Sequence, residues 1–191
     1  MYKELVFRLE GMSPLVMHNV RLSDPRCELV KAIKKITGKK KKTEDDIIAI
    51  SDLEWEGGLY LDEKERPCIP ARNVEAMLAA AAAQNRMGKV FKSSIYCDGV
   101  FPVEYDGPKS IEKLREDNAF RLSRMMTVQQ KKVLRTRPIF QKWAVVVTVN
   151  YNPEIVNRDQ VVDAMSAAGK IIGLLEDRPR CGRFESKVVS G

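Results

Sequence analysis

Arginine residues concentrate in one short segment near the end of the chain. It contains Arg178, Pro179, Arg180, Gly182 and Arg183. The proline and the glycine interrupt any regular helix or strand, so the segment is expected to form a bent loop that carries guanidinium groups. A guanidinium group pairs two phosphate oxygens at once, which makes this loop a candidate phosphate-binding segment. The alternative is a surface turn with solvated arginines before a last strand over 183–189.

Two other stretches are strongly basic. The first is a run of four adjacent lysines: Lys39, Lys40, Lys41 and Lys42. Such a run suits contact with an RNA or DNA backbone, but it is equally typical of a solvated loop tip. The second stretch covers 131–140, where basic and apolar residues alternate. If it is a strand, one face carries Lys131, Val133, Arg135 and Arg137. That face would be a platform for nucleic acid, or else a solvated strand edge.

Two more side chains are candidates for chemistry. Arg72 immediately precedes a predicted helix over 73–83, where it could reach a phosphate at the helix N-terminus. His18 is the single histidine in the chain, and histidine is the commonest general acid or base near neutral pH. The alternative for His18 is a purely structural role.

Composition limits the classes of function. The chain has 191 residues, with 44% hydrophobic and 31% charged residues and a net charge of +7, which favours an anionic partner such as nucleic acid. No Walker loop, dinucleotide fingerprint, nucleophile elbow or H-E-x-x-H motif occurs, so no cofactor is expected. The cysteines are widely spaced: Cys27, Cys68, Cys97 and Cys181. With one histidine they do not predict a metal site, and they indicate reduced structural thiols.

Neither a signal peptide nor an apolar run approaching 18 residues is found in the sequence. We therefore expect a cytoplasmic protein that does not enter a membrane.

Periodicity predicts the elements that position these residues. Strands are expected over 4–9, 101–105, 131–140, 143–151 and 183–189, with a short strand over 55–62 and a strand or extended arm over 89–96. Helices are expected over 25–36, from 43 onward, and over 73–83, 110–116 and 159–169. Thr43, Ser110 and Asn157 are predicted N-caps. The first two helices, which flank the lysine run, are interpreted as an insertion.

Without the insertions, the order is β-α-β followed by β-α-β. This order predicts an α+β, ferredoxin-like (split βαβ) fold, with an antiparallel sheet, helices on one face and an inserted helical, basic arm. The open sheet face and its loops would carry the basic groups.

Three segments also resemble a known family. The first strand followed by 13–18 (S-P-L-V-M-H) is similar to the opening of proteins of the CRISPR-associated RAMP superfamily. Residues 67–78 (P-C-I-P-A-R-N-V-E-A-M-L) resemble that family's I-P-G-S-S-(L)-K-G-x-(L)-R helix start. Residues 173–184 are similar to its C-terminal loop, which is rich in glycine and contains arginine. The segments occur in the family's order, with the helix predicted over 159–169 just before the last.

The resemblance is closest to the backbone-forming members of that family. These polymerise along a guide RNA and have a ferredoxin-like core with inserted arms. By this resemblance the chain is a single RAMP-like domain, 1–191, with insertions at about 24–56 and 88–130. The lysine run would be the tip of an arm, and Asp24 would lie in the region where some backbone members place a cleaving aspartate.

Three hypotheses of function follow. The first is a non-catalytic protein that binds single-stranded, guide-like RNA and acts as a homo-oligomer or within a multisubunit complex. It would be a CRISPR effector backbone subunit in antiviral defence, or a phage or mobile-element relative of one. The second is a metal-independent endoribonuclease that uses His18 or Asp24. The third is an interaction factor, such as a phage-encoded mimic or inhibitor, whose basic surface binds an acidic protein.

Overall fold

A computed structural model describes residues 1–128 and 130–191, and the side chains of Val128 and Lys131 lie outside that description. The strands are β1 (Lys3–Gly11), β2 (Leu15–Val16), β3 (Cys68–Pro70), β4 (Ile95–Tyr96), β5 (Val100–Glu104), β6 (Arg121–Val128), β7 (Lys131–Phe140), β8 (Ala144–Tyr151) and β9 (Phe184–Ser190). The helices are α1 (Glu28–Thr37), α2 (Glu44–Gly58), α3 (Ala71–Ala83), α4 (Gly88–Ser94), α5 (Ile111–Glu116) and α6 (Arg158–Ala167). The fold is α+β with antiparallel sheets, as the sequence predicted at this level.

The residues cluster into two compact units. Unit 1 consists of Met1–Leu15, Leu61–Asp106 and Gln141–Gly191, and unit 2 consists of Val16–Tyr60 and Gly107–Phe140. The insertion predicted at about 24–56 falls entirely within unit 2. The insertion predicted at about 88–130 belongs to unit 1 as far as Asp106 and to unit 2 beyond it.

Unit 1 is built on an antiparallel sheet with the strand order β3-β5-β8-β1-β9, and β4 also pairs with β8. The central pair, β1 and β8, places Leu5 opposite Val149 and Phe7 opposite Val147. All four side chains are buried, because alternate residues of a strand point to the same face. The opposite face carries half-exposed polar residues such as Arg8.

Helices α3 and α6 of unit 1 were predicted from the sequence. The alanine-rich helix α3 begins two residues earlier than predicted and buries Val74, Met77 and Leu78. Helix α6 buries Val161 and Met165, and it contacts α3. A π-helical turn, Ala168–Ile172, follows α6 and ends at Gly173, which adopts a φ of 81°.

Unit 2 contains a three-stranded antiparallel sheet with the order β2-β7-β6. Helix α2 contacts both β7 and α1. A hydroxyl cluster ties α2 to the sheet, since the Thr136 hydroxyl lies 2.7 Å from the Ser51 hydroxyl and 2.9 Å from the Ser123 hydroxyl. The indole Nε1 of Trp55 in α2 donates to the Phe120 carbonyl at 2.8 Å.

The three predicted N-caps are confirmed. The side chains of Thr43, Ser110 and Asn157 accept hydrogen bonds from the backbone N–H groups of Asp46, Lys113 and Gln160, respectively. Each cap satisfies a backbone donor that has no partner within its own helix.

The short strand predicted over 55–62 is wrong, because α2 continues to Gly58. Both glycines in this turn lie against packed neighbours. A Cβ at Gly58 would come within 2.8 Å of Pro138 Cδ, and one at Gly57 would collide with the Leu22 side chain. This close packing accounts for glycine at both positions, although glycine has a low helix propensity.

The strand or extended arm predicted over 89–96 is also largely wrong. Residues Gly88–Ser94 form α4, and only Ile95 and Tyr96 are extended. Phe91 and Ser94, three residues apart, are both buried. The Ser94 hydroxyl donates to the Val90 carbonyl at 2.7 Å, which supports the helical turn.

Candidate functional site

A groove in unit 2 collects several of the residues singled out from the sequence. It has a volume of about 560 Å³. Its lining residues are His18, Leu22, Val30, Ile33, Lys34, Thr37, Glu54, Val133, Arg135 and Arg137. They come from α1, α2, β7 and the segment after β2, and we call this feature the α1–β7 groove.

The α1–β7 groove is cationic. Three lining side chains carry a positive charge, Lys34, Arg135 and Arg137, and one carries a negative charge, Glu54. The net charge of the lining is therefore +2 (three minus one), with His18 counted as neutral. An anion entering the groove would meet an excess of positive charge.

Glu54, the one carboxylate among the described residues that line the groove, is paired with local partners. Glu54 is only 3% exposed and forms an ion pair with Arg135 Nη1. Its other oxygen, Oε2, accepts the backbone N–H of Thr136 at 2.9 Å. These contacts fix the position of Arg135, whose side chain remains 28% exposed. Glu54 therefore orients a guanidinium group that still reaches solvent.

Arg137 lies deeper than Arg135. It is 8% exposed, and its Nη1 donates to the Thr136 carbonyl at 3.2 Å. Charged side chains are normally exposed, so an arginine this deeply buried in a positively charged groove is unusual.

The predicted face of the 131–140 strand is confirmed for three residues. Val133, Arg135 and Arg137 all line the groove. On the other side, Thr136 is buried in the hydroxyl cluster and Leu134 is 41% exposed. The side chain of Lys131, the remaining member of the predicted face, lies outside the described residues.

The two candidate acid–base residues differ in their surroundings. His18 lines the α1–β7 groove, and its backbone carbonyl accepts the Tyr60 hydroxyl at 3.2 Å. Asp24 does not line the groove, and its carboxylate accepts Nε and Nη2 of Arg26 at 3.0 and 3.1 Å. The hydrogen bonds from Arg26 lower the pKa of Asp24, so that carboxylate is a weak base at neutral pH. His18 is the better placed of the two for proton transfer.

The lysine run forms the exposed connection between α1 and α2. Lys39 Nζ lies 2.6 Å from the carboxylate of Asp46, and Lys42 Nζ donates to the Lys39 carbonyl at 3.4 Å. Lys40 and Lys41 are exposed, and within the described part of the chain they form no hydrogen bond or ion pair. These two lysines are the members of the run that are available to an external anion.

The arginine-rich loop belongs to unit 1. Arg178, Arg180 and Arg183 are exposed, and Arg183 Nε donates to the Pro179 carbonyl at 2.7 Å. The loop is held by its backbone: Gly182 N–H donates to the Pro14 carbonyl at 2.8 Å, and Arg183 N–H donates to the Ser13 hydroxyl at 2.9 Å. These backbone contacts therefore hold in place a loop that carries three exposed guanidinium groups.

Arg72 is also in unit 1. It is exposed and occupies the second position of α3, where the first-turn N–H groups have no side-chain cap.

The basic residues predicted to bind RNA fall into two sets, one in each unit. Arg72, Arg178, Arg180 and Arg183 belong to unit 1, whereas Lys39, Lys40, Lys41, Lys42, Lys131, Arg135 and Arg137 belong to unit 2.

Sequence reasoning missed Lys34 and Glu54. Lys34 directly follows Ile33, an apolar residue of the helix predicted over 25–36, so it could have been placed beside the apolar side of that helix. Glu54 stands between Leu53 and Trp55, but adjacent residues of a helix point in directions about 100° apart, so no local pattern marks Glu54 as a buried acid. Its partner in β7 could not be identified without the tertiary structure.

Two of the buried cysteines are poor acids. Burial raises the pKa of Cys68 to about 11 and that of Cys97 to about 12, so both thiols are protonated near neutral pH.

Residues 1–128 and 130–191 contain no group of three or more histidine, cysteine or acidic side chains placed to hold a metal ion. The same residues include no helix long and apolar enough to cross a membrane.

The sequence matches no protein-family model, and a search of curated proteins finds no significant match.

Proposed function

We propose that this protein is a non-catalytic RNA-binding protein that holds the backbone of a single-stranded RNA through basic side chains. The observation that carries the proposal is the α1–β7 groove, where Lys34, Arg135 and Arg137 converge with only one carboxylate among them. That carboxylate is already ion-paired, so the lining presents a net positive charge to a phosphate.

The geometry of Arg135 supports phosphate binding in particular. The guanidinium of Arg135 is held by the Glu54 carboxylate, which in turn accepts the backbone N–H of Thr136. A guanidinium held in this way loses little conformational freedom when it binds a phosphate. The exposed Lys40 and Lys41 in unit 2, and the arginine-rich loop in unit 1, supply further positive charge for the backbone of a longer strand. Each unit therefore has its own cationic surface.

Wider parts of the proposal concern family and assembly. Four strands of unit 1 lie side by side in the order β5-β8-β1-β9. Along the chain, α3 lies between β1 and β5, and α6 lies between β8 and β9, which supports a ferredoxin-like split βαβ plan. The motifs similar to the RAMP superfamily support a cytoplasmic CRISPR effector backbone subunit or a phage-related relative. Such a protein would oligomerise along its RNA.

Charge reversal at neighbouring residues tests RNA binding. Lys34 and the adjacent Lys35 are both exposed on α1, but only Lys34 lines the α1–β7 groove. Lys34→Glu should weaken binding of a labelled single-stranded RNA about tenfold at about 100 mM salt, and Lys35→Glu, with the same net charge, only about twofold. Equal affinities of the two variants, or no RNA binding by the wild type, would contradict the proposal.

Assembly is tested separately. The purified protein would be run on size-exclusion chromatography with absorbance at 260 and 280 nm, before and after ribonuclease treatment. A large species rich in RNA that collapses to small protein after treatment is expected. A monomer free of nucleic acid would argue against oligomerisation on RNA and favour the interaction-factor hypothesis.

A second candidate function is a metal-independent endoribonuclease, and the position of His18 favours it. An imidazole beside two arginines could move a proton while the guanidinium groups stabilise charge on the phosphate. His18→Gln should then abolish RNA cleavage while leaving RNA affinity within about twofold. Cleavage that persists in His18→Gln, or that is absent from the wild type, would reject this function.

A further inference from the structure

The α1–β7 groove has an apolar part as well as a cationic part. Leu22, Val30, Ile33 and Val133 contribute its aliphatic lining. Val30 is 9% exposed, and the other three are half-buried, so their side chains are close-packed on the protein side and open toward the groove. A simple phosphate-binding surface would not need this hydrocarbon surface.

We propose that the α1–β7 groove accepts one unstacked nucleotide, with its base against the aliphatic side chains and its phosphate at Arg135 and Arg137. This inference rests on the proposed RNA-binding function and specifies the group that the groove recognises. A nucleotide combines a flat base, whose π-face can contact hydrocarbon, with an anion, and the groove combines aliphatic side chains with two guanidinium groups.

Size and charge agree with this occupant. Binding sites for small molecules typically have volumes of about 300–1,000 Å³ and are lined mainly by apolar groups with a few polar ones. The groove, at about 560 Å³, lies inside that range. Glu54 is 3% exposed and paired with Arg135, so it adds little repulsion toward a phosphate.

The proposal requires a base that is not stacked in a duplex. Bases in a double helix are paired and stacked, whereas those of a single strand can turn out and enter a cavity. The same nucleotide chemistry could come from a free mononucleotide or from one residue of an RNA strand. The experiment has to separate these two sources.

Methyl NMR on the full chain tests the inference directly. Adenosine 5′-monophosphate, ribose 5-phosphate and a short single-stranded oligoadenylate would each be titrated into protein with labelled isoleucine, leucine and valine methyl groups. The purine ring current should shift the methyl resonances of Ile33 and Val133. The methyl groups of Val147, buried in the sheet of unit 1, serve as the internal control.

Adenosine 5′-monophosphate should bind about tenfold more tightly than ribose 5-phosphate, because only the former can bury a base against the aliphatic lining. Ile33→Asn should reduce this preference to about twofold. Ile48→Asn, at a 54% exposed isoleucine of α2 outside the groove, should leave it unchanged. The wild-type comparison of the two ligands needs no variant, so it stands even if Ile33→Asn fails to fold.

The outcomes separate the inference from the function on which it rests. Shifts at Ile33 and Val133 with the mononucleotide support a nucleotide site open to free ligand, and shifts with oligoadenylate alone support a base supplied by a strand. Oligoadenylate that binds with salt dependence but leaves both methyl groups unshifted would overturn the base site and retain RNA binding. No binding of oligoadenylate even at about 50 mM salt would overturn both.

Discussion

The carboxylate of Glu54 in α2 is ion-paired with the guanidinium of Arg135 in β7. The same carboxylate accepts the backbone N–H of Thr136 at 2.9 Å, so one acidic side chain joins the helix to the strand and aligns a cation of the groove. The candidate site and the stability of unit 2 therefore depend on the same contact.

Removing the charge of Glu54 should destabilise unit 2. Glu54→Gln keeps an acceptor for Thr136 but removes the charge-assisted hydrogen bond to Arg135, whose side chain is 28% exposed, and this loss should cost about 2 kcal/mol. Glu56→Gln is the matched control on the same helix, because Glu56 is 43% exposed and lies 3.7 Å from Arg115. That exposed pair should contribute less than about 1 kcal/mol. Urea unfolding measures the free energy of unfolding of both variants, and similar losses of stability would contradict this account.

The lysines of the α1–α2 connection should separate into binding and structural residues. Lys40→Ala combined with Lys41→Ala should reduce the slope of log affinity against log salt by about 1.4, or 0.7 for each lost phosphate contact. Lys39→Ala should change that slope less, because Lys39 is paired with Asp46 at 2.6 Å. RNA titrations between about 50 and about 200 mM salt measure the slopes. The account is wrong here if Lys39→Ala has the larger effect.

Asp46 should give α2 a stability that depends on pH. Its pKa is lowered by the hydrogen bond from Lys39 and then by the backbone N–H of Thr43. Because the pKa of Asp46 is lowered in the folded state, its carboxylate stabilises the fold fully above the ordinary carboxyl pKa of about 3.9. This stabilisation is lost as the pH falls through the pKa of Asp46 in the folded protein.

The gap in urea midpoint between wild type and Asp46→Asn should therefore be clear at about pH 7 and should narrow at about pH 3. Asp45→Asn, at the exposed neighbour in the same helical turn, is the control and should show a smaller gap at neutral pH. A gap of the same size at both pH values would show that the charge of Asp46 is not involved.

Two glycines with similar positive φ angles should respond differently to substitution by alanine. Gly182 has a φ of 74°, and a Cβ there would lie 2.6 Å from the backbone nitrogen of Leu174. Gly99 has a φ of 71°, but no described atom lies within 4 Å of such a Cβ. Gly99→Ala should cost about 1 kcal/mol through backbone strain alone, and Gly182→Ala about 3 kcal/mol or more because the backbone must also move. Thermal unfolding of both variants provides the measurement, and equal losses would contradict the contact at Gly182.

The elements with strong local signals were predictable from the sequence. The caps at Thr43 and Asn157, the apolar stripe of α6 and the alternating strand β8 each follow from residues within a short window. The face of β7 that carries Arg135 and Arg137 was predictable for the same reason, because alternation along a strand depends only on neighbouring residues.

The errors arose where tertiary packing overrides local preference. Gly57 and Gly58 are poor helix formers, yet they belong to α2, at positions where an added Cβ would meet Leu22 or Pro138. Strand β6 had no clear period in the sequence, and it forms by pairing with β7 along its whole length. The α1–β7 groove was beyond prediction for a related reason, since it joins His18, Lys34 and Arg135 from distant parts of the chain.

Site-specific photo-crosslinking tests the central claim, that RNA lies in the α1–β7 groove, most directly. A photoreactive amino acid would replace Thr37, an exposed residue that lines the groove, and in a second protein Ile48, an exposed residue that does not. Irradiation with labelled single-stranded RNA should yield a crosslink at position 37 that unlabelled RNA competes away, and little at position 48. Equal crosslinking at the two positions, or crosslinking at position 48 alone, would contradict the account.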